Sequence, residues 1–553
     1  MSEHRNLDEA VPGEGAADAE QASKPERAGR LARSTALFSA ATALSRVAGL
    51  VREIVAASYF GVTAQMSAFT IAFQVPNLVR SLFADAAIQA AFVPVFTERL
   101  EAGDRREAFR LASSLIFLVT LILGALTALF VLLAPVVMPL FIPSDLVDID
   151  GLTVVLSRIM FPIVLLLGVT GMVVGILNSY DRFGAYAVAP FFWNLVIIGV
   201  LIGLVPAFPA EDEIYAYAIG VLAGTMVQLA IIAWDLKHTP YGLRRAFAAM
   251  FRFRRADLRD SNLRKILILM LPVTISLGLI NINLVINSSV GFLVSEQAPA
   301  AIDKAFRIYM LPQGIFSVAI TTVLFPTLAR FAARADFDRL RATMANGIRQ
   351  ILLLLVPAAA AIFVLAEPMT RLVYERGVFD ASSTDLVAEA LFWFAFSLPF
   401  SGVFLLQTRT FFSLQRPWVP TAISVVNLVV TAAGSLLLYK PFGIGGIVAA
   451  TGIANIAAVL AGGWVLHGQL GRLELGRLLW SGSRILLAAG ALAAVSYFTW
   501  SALDSALGRD LAAQIASVGI ALGAGAVVYG AALTLLRVPE MRQLLEIVRR
   551  RPA

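Results

Sequence analysis

The sequence predicts an all-α polytopic membrane protein: 14 transmembrane helices, arranged as two parallel six-helix repeats around a central cavity plus two extra C-terminal helices. Three observations predict it. The chain of 553 residues is 59% hydrophobic and only 15% charged, with a mean hydropathy of +0.80; soluble domains carry about 25% charged residues. The basic residues fall in alternate loops. The chain also resembles itself at a spacing of about 235 residues.

Apolar runs of 20 or more residues without strand-like alternation indicate helices rather than a barrel. The expected spans lie near 34–60, 63–97, 109–133, 152–178, 186–206, 214–236, 265–293, 302–330, 345–366, 384–414, 418–438, 445–466, 480–502 and 510–536. Residues 1–33 are rich in Glu, Asp, Ala, Gly and Pro and read as a disordered cytoplasmic tail that ends in Lys24, Arg27, Arg30 and Arg33. Spans 1–6 (34–236) form an N-lobe. A basic cytoplasmic loop (237–264) follows, in which FAAMFRFRR has the makings of an interfacial amphipathic helix. Spans 7–12 (265–466) form a C-lobe. Spans 13 and 14 (467–536) lie outside the repeat, and 537–553 is a basic tail.

The even-numbered loops carry the arginines, among them Arg182, Arg330, Arg334, Arg339, Arg341, Arg416, Arg472 and Arg477. The odd-numbered ones hold five basic residues, Lys304, Arg371, Arg376, Lys440 and Arg509. By the positive-inside rule both termini face the cytoplasm. Topology therefore accounts for the net charge of +7, and nucleic acid is not a partner.

In the repeat, Pro76 meets Pro312, Pro94 meets Pro326, Pro162 meets Pro399, Arg182 meets Arg416, Pro190 meets Pro420 and Asn194 meets Asn427. Six spans separate the copies, so both have the same orientation. Parallel halves imply a pseudo-two-fold axis along the membrane normal, a substrate site between the lobes and alternating access.

The site residues follow from cost. An arginine within hydrocarbon costs at least about 2.5–3.5 kcal/mol and so faces a protein interior or a wet cavity. Arg46, Arg52, Arg80 and Arg307 all lie in apolar spans. Glu53 shares a helix face with Arg46; Arg52 points elsewhere in a straight helix, unless a break at Gly49 brings both inward. Asn77, Ser81 and Asp85 form a polar stripe beside Arg80, after Pro76. Several fixed cations call for an anion, and guanidinium suits phosphate oxygens. The competing reading is a set of ion pairs, Arg46 or Arg52 with Glu53 and Arg80 with Asp85, which leaves Arg307 without a nearby carboxylate. Asn194 and Asn427 are expected to bond helix to helix. Glu367, Arg371, Glu375, Arg376 and Asp380 are expected outside spans 9 and 10, where YERGVFD makes a structural turn or a gate.

There is no cysteine, and His4, His238 and His467 lie in a tail or loops, so no metal site, thiol chemistry or membrane proton relay on histidine is expected. No catalytic set and no phosphate-binding Gly-Lys-Ser/Thr loop occurs, so an enzyme is not expected. No cofactor is expected either; a monovalent ion or the membrane potential is left as the energy source.

The stretches SRVAGLVREIVAASYFG, AFTIAFQVPNLVRSLFADAAIQAAFVPVF, NSYDRFGAYAVAP and ERGVF resemble the MurJ (MviN) family, lipid II flippases of the multidrug/oligosaccharidyl-lipid/polysaccharide exporter superfamily; the resemblance runs from about Leu31 to the C-terminus. It implies a flippase in the bacterial cytoplasmic membrane that moves undecaprenyl-diphosphate-linked peptidoglycan precursor to the outer leaflet. The family's cavity arginines fall on Arg46, Arg52, Arg80 and Arg307, and its acids on Glu53 and Asp85. The lipid groove involves spans 13 and 14. Ser67, Phe306 and Met310 stand where members often carry acids, which makes the cavity more positive. Membrane lipids, and cell-wall synthesis proteins docking on the basic loops, are the further partners. The rivals are a flippase for another polyprenyl-linked glycan, a cation-coupled drug exporter and a non-transporting scaffold.

Overall fold

The computed structural model describes residues 41–83, 86–251, 281–471 and 475–541. These are helical almost throughout. The N-lobe comprises α1 (41–60), α2 (Ala64–Phe83), α3 (Ala86–Glu101), α4 (Arg105–Val137), α5 (Val147–Met160), α6 (Pro162–Asn178), α7 (Gly184–Leu204) and α8 (Glu213–Asp235). The short α9 (Leu243–Ala249) precedes the C-lobe, which contains α10 (281–291), α11 (Ala298–Pro312), α12 (Val318–Ala333), α13 (Phe337–Tyr374), α14 (Ala381–Ser413) and α15 (Trp418–Leu470). Last come α16 (Leu475–Leu507) and α17 (Leu511–Leu535), which pack on each other and on α13.

Among the described residues, ten helices are long and apolar enough to cross a membrane. One of these, α15, holds two of the expected spans. Its backbone leaves the helical region at Gly443 (φ 54°, ψ −136°). The Ser435 hydroxyl donates to the Ile447 carbonyl, and the Asn427 amide to Asn455. Such pairings, which converge on the break, make α15 an antiparallel hairpin. A Cβ on Gly446 would lie 2.2 Å from the Leu438 carbonyl oxygen, so only glycine lets the halves approach this closely. The expected spans 34–60, 63–97 and 265–293 each include residues outside the described set, as do the N-terminal tail, most of the basic loop and residues 542–553.

The repeat is visible in the turns. Gly103 (φ 79°) and Ala335 (φ 54°) occupy matched positions in the left-handed region. Each precedes an aspartate, Asp104 or Asp336, whose side chain caps the following helix. Asp181 (φ 56°) and Gln415 (φ 57°) also match, and after them the Arg182 and Arg416 amides donate to Leu177 and Phe411 carbonyls, each at 3.0 Å. Asn194 of α7 donates to the Ser45 carbonyl of α1, while Asn427 of α15 accepts from Asn283 of α10. The same residue thus fastens the first helix of each lobe to the fifth, the helix-bonding role expected for both.

The core shows how the lobes meet. The parts of α1, α2, α4, α7 and α8 toward the turn at Gly61 share one apolar core with the C-lobe, from Ala56 and Phe69 to Ile302 and Leu398. At the other end the N-lobe builds a separate core around Phe92, Leu115, Met172 and Tyr241. The lobes are therefore joined at the end that carries the turn at Gly61.

Candidate functional site

The site forms where α1, α2, α7, α8 and α11 converge on that joined end. Helix α1 is helical without interruption through Gly49. Arg52 reaches the interior by laying its guanidinium over the Trp193 ring of α7, 4.7 Å from the centroid, and by pairing with Glu53. Trp193 is held in turn by its indole N–H, which donates to Thr225. Arg52 and Glu53 are 9% and 4% exposed, in a segment expected to lie within hydrocarbon, so their pairing is obligatory.

Glu53 collects cations from both lobes. Beside Arg52 it accepts from Lys304 Nζ at 3.1 Å and lies 3.8 Å from Arg307 Nε. Lys304 is fully buried in α11, against its expected place in a loop. Its own carbonyl accepts from the Tyr374 hydroxyl. Arg307 has a carboxylate four residues upstream, contrary to the sequence reading: Asp303 bonds it at 3.3 Å. That i, i+4 spacing was the signal that could have found it. Three cations therefore meet two carboxylates, and the cluster carries one net positive charge. The cavity is less positive than the absence of acids at Ser67, Phe306 and Met310 had suggested.

Arg52, Glu53, Asp303 and Arg307 line a pocket walled by Phe69, Thr70, Phe73, Trp193 and Tyr217. The Arg307 side chain is 35% exposed there while Lys304 is sealed away, so the arginine can meet a solute and the lysine cannot.

The other predicted residues lie farther from the joined end. Arg46 is exposed, with its Nη1 3.0 Å from where a Cβ on Gly314 would stand, so it reaches across to the C-lobe. Gly314 belongs to a single π-turn, Gln313–Ser317, that follows Pro312. Arg80 donates two hydrogen bonds to Asn77 Oδ1, at 3.0 and 2.9 Å, and Asn77 donates to Asn281 of α10. Ser81 is spent on the Leu78 carbonyl. Asp85 lies outside the described residues. The structure thus gathers Arg52, Glu53 and Arg307 in one pocket and sets Arg46 and Arg80 beyond it.

Further contacts seal the joined end. Ser67, fully buried on α2, accepts from the Ala300 amide in the first turn of α11. The Val378 amide donates to the Ser58 carbonyl at 2.9 Å. The ERGVF segment therefore docks on α1 as part of the closure. Arg371, expected outside the spans, is 3% exposed within α13 and pairs with Glu367 and Asp504.

Comparison with known proteins gives a consistent result. A family model described as lipid II flippase MurJ matches residues 56–509. A probable lipid II flippase MurJ of Rhizobium meliloti (strain 1021) is 30% identical over 535 residues, 92% of this chain and 96% of the relative. One of Rhizobium tropici is 34% identical over 439 residues, 78% of each chain. The lipid II flippase MurJ of Burkholderia cenocepacia is 30% identical over 436 residues, 76% of this chain and 81% of the relative. A solved structure of a lipid II flippase MurJ in an inward closed conformation aligns with a TM-score of 0.72 at 22% identity, covering 92% of this chain and 99% of that one. An inward-facing MATE family transporter of the MOP superfamily aligns with a TM-score of 0.64 at 16% identity, covering 78% and 95%.

Proposed function

This chain belongs to the lipid II flippase MurJ family, and from that premise we propose that it carries lipid II from the cytoplasmic to the outer leaflet of the bacterial inner membrane by alternating access. The observation that carries the reading at the level of residues is the Arg52–Arg307 pocket, with a net positive charge, a buried guanidinium on the N-lobe side of the boundary and a partly open one on the C-lobe side. With Arg46 and Arg80 beyond it, the fixed surplus suits a diphosphate diester, which carries about two negative charges.

The headgroup enters from the end where the lobes have separate cores. Its diphosphate takes over guanidinium hydrogen bonds that Glu53 now accepts, while Asp303 keeps its pairing with Arg307. Glu53 keeps Lys304, so a buried carboxylate is never left bare. Weakening of the Glu53–Arg307 contact loosens the joined end, the lobes rock, and the headgroup leaves on the other side. The polyprenyl tail stays in lipid beside α16 and α17. Both termini face the cytoplasm. The cycle is reset by the membrane potential or by a monovalent ion; a charge crossing 100 mV is worth about 2.3 kcal/mol. The basic loops are docking surfaces for cell-wall synthesis proteins.

The test uses cells depleted of their own lipid II flippase. This chain is expected to restore lipid II at the outer leaflet, and Arg52→Ala and Arg307→Ala versions at equal membrane levels are expected to lose most of that export. Failure of the intact, inserted chain would make another polyprenyl-linked glycan the substrate. Full activity of both variants would make the arginines structural.

A further inference from the structure

The corner between α8 and α9 has a construction that the transport site does not explain. Helix α9 is anchored on one face only: Ala246 and Ala249 are buried with Tyr241, whose hydroxyl bonds Ser113 of α4 at 2.8 Å. Its opposite face presents Phe247, which pairs ring to ring at 5.5 Å with Phe251 in the turn that follows; the two are 64% and 71% exposed. Trp234, 60% exposed, stands in the last turn of the α8 span, with Lys237 Nζ 4.0 Å from its ring centroid. Arg244 projects from the first turn of α9. The carboxylate of Asp235 is already held by Arg182 and His238, so it does not cancel Lys237 or Arg244.

Three exposed aromatic rings interleaved with cations that have no ion-pair partner among the described residues, at the height where a spanning helix ends, match an interfacial surface. The rings enter the acyl boundary and the cations meet headgroups. We propose that this corner is a binding surface for acidic phospholipid. The aromatic face sets the depth of α9, and Lys237 and Arg244 select negative headgroups. A cation near such a surface contributes about a fivefold preference for the charged lipid. The argument is independent of what the central cavity carries.

The chain has no cysteine, so a single introduced thiol reports one place. Phe247→Cys, labelled with a polarity-sensitive fluorophore, is reconstituted as the full-length protein in phosphatidylcholine vesicles with increasing phosphatidylglycerol. Emission is expected to move to the blue as phosphatidylglycerol rises. Adding Lys237→Gln and Arg244→Gln should raise the phosphatidylglycerol needed several-fold, and high salt should do the same. A label at Leu437→Cys, 75% exposed on α15, checks insertion and should respond to neither. Emission that stays solvent-like in every lipid would overturn the proposal. Emission equally blue in pure phosphatidylcholine, or unchanged when both cations are removed, would also overturn it, because the surface would then be only apolar.

Discussion

At the scale of single residues, the most informative side chain is Lys304. It is wholly buried, yet it does not line the pocket. Its work is to hold Glu53 across the lobe boundary. Removing one partner of a buried pair leaves an uncompensated charge and costs about 3–5 kcal/mol; here Arg52 and Arg307 remain beside Glu53, so the loss should fall at or below the bottom of that range. Lys304→Gln is expected to lower the unfolding temperature in detergent while leaving Arg52 and Arg307 in place. A melting temperature equal to that of the parent would remove the lysine from the closure. Ala335 allows a second, opposite prediction. It sits at φ 54° where the matching residue of the first repeat is Gly103. A left-handed non-glycine residue costs about 1–2 kcal/mol, part of which glycine gives back through its freer unfolded chain. Ala335→Gly should therefore stabilise by roughly 0.5–1 kcal/mol, read as a raised melting temperature; a lowered one would contradict it.

At the scale of elements, the helix positions were legible because hydropathy and loop charge report on the bilayer itself. What was not legible is what depends on contacts between distant helices. The Asp303–Arg307 pairing is the exception, because its i, i+4 spacing lies in the sequence itself. Lys304 read as a loop residue because a lone lysine near a span end normally is one. A break at Gly49 is one way to turn Arg52 inward; the long side chain instead lies down on Trp193. The fastening of α16 and α17 could not be read at all. Arg349 of α13 meets Glu540 at 2.7 Å, and Ser481 donates to the same carboxylate. Arg371, near the other end of α13, meets Asp504 of α16. Between them Tyr529 of α17 bonds the Leu353 carbonyl. A helix pair pinned at both ends moves with the C-lobe as one body. Glu540→Arg alone should raise hydrogen exchange in α17, and adding Arg349→Glu should restore much of the protection. If the double variant exchanges as fast as the single one, the ion pair is not the fastening.

At the scale of the whole molecule, the structure is one state of a two-lobed machine, closed at the Gly61 end. Gly377 is its most sensitive point. Its φ is +63°, and a Cβ there would stand 2.2 Å from the Ser58 carbonyl oxygen, against backbone that cannot turn away. Gly377→Ala should therefore disfavour this state specifically. With cysteines at Ser67 and Ala300 as a cross-link across the closure, the variant should form fewer bridges than the parent; an equal yield would show that the segment yields without opening.

The hairpin in α15 bears on how the molecule can be mapped. Its reversal is completed around Gly443, with Gly446 pressed against the Leu438 carbonyl. Lys440, Pro441 and Phe442 are exposed beside it, but an inserted epitope would have to wedge the two halves apart. Such a probe would report damage rather than sidedness. The turns at Gly103 and Gly508 are different, since added atoms there meet nothing within 4 Å. These two turns are predicted to lie on opposite faces of the membrane, so a pair of tags at them would read the orientation of the whole chain.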